Sequence, residues 1–192
     1  MIVYHMSETL KEGDMLTPDY EKLMALTEPF IQGLERGQEC FAGMLLFGKF
    51  MYEVMTRSRL RYWANYAKYA TEAVFEYVRC REFPDAYGRL ASNYFYDTLE
   101  YSKKLYEYDY GSCPEDGEDV QLFEIELEDE NPQYRDMNLY DIAYEAIQKR
   151  EDLSAALEAA RRYFAGRHTD DPTWEIMSDK PAKAARIIQN WK

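Results

Sequence analysis

The chain has little of what the commonest site chemistries require. Two histidines, His5 and His168, and three cysteines, Cys40, Cys80 and Cys113, are scattered over 192 residues. They form no CxxC pair and no metal-ligand spacing, so a zinc or other metal site has no support. An odd number of separated thiols builds no disulfide framework and fits a reducing compartment, which predicts a cytoplasmic protein. Long apolar runs are also missing. The stretch 41–47 is far too short to span a bilayer, and no charged-then-apolar leader precedes a small-residue cleavage site. GxSxG is absent, which removes a serine-hydrolase elbow. A GxxxxGK spacing does occur at 43–49, but Phe50 stands where Ser or Thr would hold magnesium. Bulky apolar residues fill its middle and no strand precedes it, so it reads as helical packing.

Positive charge is the other shortage. Lys and Arg total 23 against 36 Asp and Glu, a formal charge of −13. Such a chain repels nucleic acid and anionic membrane at long range, so neither is an expected partner, whereas a basic protein surface is. What is abundant is apolar and aromatic surface: 46% of residues are hydrophobic, and 18 are tyrosine. That share excludes a disordered chain, and the length suits one domain, residues 1–192. Most of the tyrosines read as half-buried helix faces.

Periodicity predicts mixed helix and sheet. Residues 2–6 read as a strand, followed by a turn at 11–14. Thr17-Pro18 opens a helix that Pro29 should kink or divide. A second apolar helix covers 39–56, and the clearest helix covers 59–82 with two apolar stripes, which requires burial on more than one side. Phe83-Pro84 ends it. Residues 92–96 read as a strand, with Asp97 capping the next helix. Residues 111–117 read as a loop. Phe123, Ile125 and Leu127 alternate with Glu124, Glu126 and Glu128, the pattern of a half-buried strand with an acidic face. Asn138 is the expected cap of a helix to about 150. A further helix covers 152–165 and stops at Gly166. A strand follows at 173–177, and 183–191 fits either a last strand or a short helix. Together these give an α+β fold with strands near both termini and a large helical insertion at about 18–82.

Polar residues inside the apolar strands are the candidate site. Tyr4 and His5 interrupt the first strand, and Glu175 interrupts the run Trp174-Glu175-Ile176-Met177. Each faces a cleft, where it does chemistry, or a core, where it needs a partner. For His5 that partner would be backbone, and for Glu175 it would be Lys180 or Arg186. Arg79, Arg81 and Arg89 cluster in an otherwise acidic chain. Their guanidinium forks suit a phosphate or carboxylate, and the neighbouring Glu76, Glu82 and Asp85 offer simpler surface pairs.

The stretch Phe75-Glu76-Tyr77-Val78-Arg79, Phe83-Pro84, Arg89 and Tyr94-Phe95-Tyr96 is similar to a bacterial domain family of unknown function with an ADP-ribosyltransferase-like split-sheet fold. Tyr163-Phe164-Ala165-Gly166 and Trp174-Glu175-Ile176 fit the same family. The resemblance touches most of residues 1–180 through short, spaced motifs and does not extend to residues 38–70. It implies ADP-ribosyl transfer from NAD, or NAD glycohydrolysis, onto a protein or small-molecule acceptor, with NAD as substrate and no metal. It further implies His5 as a ribose ligand beside Tyr4, Tyr94 or Tyr96 stacked on nicotinamide, Glu175 as the catalytic carboxylate, and Arg79 and Arg89 on the pyrophosphate. Two positions depart from the pattern. Met6 stands where active members carry glycine, and Thr173 stands where arginine-directed transferases carry Glu or Gln. A non-catalytic member binding a nucleotide or protein, and an acidic interaction or inhibitor protein, are the alternatives.

Overall fold

A computed structural model describes residues 1–18, 20–35, 66–111, 119–149 and 153–191. The expected helix at 39–56, the GxxxxGK segment, residues 59–65 of the long helix and most of the 111–117 loop lie outside the described residues. The described residues combine helices with antiparallel sheets and gather into two compact units, each built from separated stretches of chain.

The first unit takes residues 1–18, 92–134 and 174–192. It holds β1 (Ile2–Ser7), β2 (Met15–Leu16), β3 (Asn93–Phe95), α3 (Leu99–Tyr110), β4 (Gln121–Leu127), β6 (Trp174–Ser178) and β7 (Ala182–Asn190), and β5 (Gln133–Asp136) begins in it. One sheet has the order β1-β4-β7-β2, and in a second sheet β6 lies between β3 and β5. Of the two forms open to the last segment it is the strand that forms, as β7, hydrogen-bonded between β4 and β2. The alternation in β4 is observed: Phe123, Ile125 and Leu127 are buried, Glu126 is exposed, and Glu124 is half-exposed beside Arg186 of β7. Those apolar residues join Val3, Phe95, Ile176, Ala182 and Ala184 in one core. Gly13, with φ of 89°, makes the turn between β1 and β2 in a conformation that disfavours side chains.

The second unit takes residues 19–91 and 135–173. It contains α1 (Tyr20–Glu35), α2 (Tyr66–Glu82), α4 (Met137–Gln148) and α5 (Ser154–Phe164). α2 packs on α1, α4 and α5, and α4 packs on α5. Residues 70 to 78 of α2 are buried without interruption, the outcome two apolar stripes require. Fully buried alanines, Ala73, Ala143, Ala156 and Ala160, permit close helix approach.

Three local expectations change. α1 runs unbroken through Pro29: one missing N–H removes a single intrahelical bond, and packing on α2 holds the rest. The cap of α3 is Thr98, not Asp97, with its hydroxyl accepting from Tyr101 N at 3.2 Å. The cap of α4 is Asp136, not Asn138. Asn138 sits inside α4 and donates its amide to Asp171 O at 2.7 Å.

Candidate functional site

The two sheets of the first unit are joined where β1 meets the end of β3. Tyr4 and Tyr96 exchange backbone hydrogen bonds of 2.8 and 2.9 Å across a single antiparallel bridge. On its other edge β1 pairs with β4 along its whole length, while β3 pairs with β6. A splayed strand pair leaves backbone groups without their ladder partners, and such groups must be satisfied when they are removed from water. His5 supplies one partner. Its Nδ1–H donates to the Tyr94 carbonyl at 2.9 Å, the donor role following because a carbonyl only accepts. The imidazole packs edge-on to Phe95. Burial lowers the His5 pKa below its ordinary value, outweighing the carbonyl bond that favours the charged ring. His5 is a neutral wedge at the split, bonded to backbone.

Strand alternation separates His5 from Glu175. His5 shares the Val3 side of β1 and touches Phe95, which pairs with Ile176. Tyr4 and Tyr96 point to the opposite side, and Tyr94 lies two residues from Tyr96 on that same side. Tyr94 pairs with Met177, so Glu175, two residues before Met177, belongs to the tyrosine side as well. Tyr4, Tyr94, Tyr96 and Glu175 thus share one side of the strands, and His5 occupies the other. Glu175 is buried, 3% exposed, and the three tyrosines are half-buried. Arg186, one expected partner of Glu175, pairs instead with Glu124 in a two-pronged bond of 2.8 and 3.1 Å, which raises its pKa. Lys180 forms an ion pair with Asp179.

Arg79 and Arg89 belong to the helical unit, and α2 explains both. The buried stretch of α2, residues 70–78, carries Glu72 and Glu76 one turn apart, and a carboxylate removed from water needs a cation. Arg79 binds Glu76 through Nε and Nη2 at 2.9 and 2.7 Å, and that bond holds its guanidinium charged. Arg89, 8% exposed, binds Glu72 at 3.1 and 3.3 Å. It donates to the Tyr163 hydroxyl at 2.7 Å and lies over the Tyr140 ring at 4.3 Å. The Arg79–Glu76 pair was among the simpler sequence expectations. The Arg89–Glu72 pair was missed, although an Arg beyond a helix with glutamates four residues apart in an apolar run signals it. Arg81 stacks on Tyr77 and bonds its hydroxyl.

The sequence reading also missed Asp136. Its fully buried carboxylate accepts from the Asn138, Thr169 and Thr173 amides and from the Thr169 hydroxyl, at 2.7 to 3.1 Å. It ties the start of α4 to the loop after α5. Among the described residues no group of three or more His, Cys, Asp or Glu is placed to hold a metal ion, and no helix is long and apolar enough to cross a membrane.

No protein-family model matches this chain. No curated protein matches it either.

Proposed function

We propose that the chain is an ADP-ribosyltransferase-like domain that binds a ligand at its split sheet without transferring ADP-ribose. The observation that carries this reading is the commitment of His5. Its Nδ1 is occupied by the Tyr94 carbonyl, and its ring lies across the strands from Glu175. Transfer from NAD would need the imidazole and the carboxylate turned to one bound ribose, since stabilisation of an oxocarbenium-like transition state depends on preorganised groups. The engagement of Arg79 and Arg89 by buried glutamates supports the same conclusion, because a pyrophosphate would have to displace a charge-assisted pair. The tyrosine side, with Tyr4, Tyr94 and Tyr96 half-buried, supplies aromatic contact area with polar ends, which suits a nucleotide or a partner protein.

Incubation with NAD should release no nicotinamide above a protein-free control. A rise in melting temperature with NAD would identify the ligand as a nucleotide, and no rise would direct the search to a protein with a basic surface. A second reading rests on Glu175, a buried strand carboxylate on the side of Tyr94 and Tyr96: NAD cleavage at that carboxylate. Nicotinamide release that disappears in Glu175→Gln would establish this reading and overturn the first.

A further inference from the structure

The outer edge of β7 is covered over only part of its length. β2 pairs only with Ala182 and Lys183. One step further, Gly13 and Asp14 exchange backbone bonds with Ala184, at 2.7 and 2.9 Å. Beyond Ala184 the strand runs on to Asn190 with no backbone neighbour along this edge among the described residues. A single group stands there: the Glu12 carboxylate, which accepts from the Ile187 N–H at 2.8 Å. A side-chain oxygen thus holds the place a carbonyl of a neighbouring strand would take. Beside it lies a groove of about 660 Å³, lined among others by Glu8, Lys11, Glu12, Asp119 and Ile187. Ile187 is 38% exposed, a large apolar side chain beside an open edge.

We propose that this edge takes an extended basic peptide as an added strand. The peptide backbone offers a carbonyl to the Ile187 N–H and releases Glu12. Glu12, Glu8 and Asp119 then face the peptide's lysines or arginines, three carboxylates against the single Lys11. Alternate apolar residues of the peptide cover Ile187. Main-chain bonding supplies affinity in this mode and the side-chain alternation supplies selectivity. Charge complementarity chooses a basic strand over an acidic one, and over a second copy of this chain, whose charge is −13.

A fluorescein-labelled octapeptide of alternating lysine and valine, followed by anisotropy, tests this. Saturable binding is expected, weakened about tenfold by Glu8→Lys with Asp119→Lys, two exposed positions where the fold tolerates change. Two further peptides separate strand addition from attraction to an acidic protein. One carries N-methyl groups on its lysine nitrogens and the other on its valine nitrogens. An added strand turns alternate N–H groups toward β7, so one methylated peptide should lose binding about tenfold and the other should keep it. Equal binding by both methylated peptides, or no binding by the unmethylated one, overturns the proposal.

Discussion

At the scale of single residues, buried charge and polarity decide most of what side chains do here. His5 is neutral at the split because burial disfavours its cation. Its pKa in the folded chain lies below the unfolded value of 6.5, so the unfolded state binds the extra proton first. The stability His5 contributes is complete above pH 6.5 and is lost as pH falls from there through the folded value. The melting temperature of the parent chain should therefore decline below about pH 6.5, and His5→Gln should flatten that decline. The Arg89–Glu72 pair makes a second expectation. Removing one partner strands a buried charge, so Arg89→Ala should cost about 3–5 kcal/mol in urea unfolding. Arg89→Met with Glu72→Leu, which removes both charges and keeps the volume, should cost much less. These roles were only partly legible beforehand. The sequence shows that His5 needs either a partner or a task, but the partner is a backbone carbonyl 89 residues away. No spacing rule contains that information.

At the scale of elements, local pattern predicts the type of an element well and its end poorly. The alternation of β4 and the stripes of α2 set their burial directly. Caps are decided by one backbone torsion pair, and adjacent polar residues compete for the position. Asp97 and Thr98 are neighbours, and the extended backbone at Thr98, φ −130° and ψ 145°, gives the cap to the threonine. Thr98→Ala should lower stability by about 1 kcal/mol, whereas Asp97→Ala should change it by less than about 0.5 kcal/mol, both read by thermal unfolding. Asp136 combines a cap with a loop anchor. Asp136→Ala leaves four buried or half-buried donors without their acceptor and should cost about 3 kcal/mol. Asp136→Asn, which keeps one acceptor oxygen, should cost less. β5 escaped the sequence reading because four residues, Gln133 to Asp136, are too short to display a period.

At the scale of the whole molecule, each compact unit is assembled from separated stretches, and no single continuous segment contains either. A fragment ending at Ala91 retains β1 and β2 but lacks β4 and β7, to which they pair. Its β1 amides should exchange at unprotected rates in a hydrogen-exchange measurement, whereas those of the intact chain should be protected. The mixture of helix and sheet was legible from periodicity, because burial imposes a period of two on strands and near 3.6 on helices. The division into two units was not, since it depends on which distant segments meet, and neither composition nor local pattern records that.

The pairing of β1 with β4 also has a consequence in time. During synthesis β1 leaves the ribosome more than a hundred residues before its partner exists. At the usual pace of translation that is a wait on the order of ten seconds. β7 and its bonds to Gly13 and Asp14 come later still. Throughout that interval Ile2, Val3 and Met6 form an unpaired apolar strand, long enough for a nascent-chain chaperone to engage it. The arrival of β4, made more than a hundred residues later, therefore governs when the earliest strand becomes safe from aggregation.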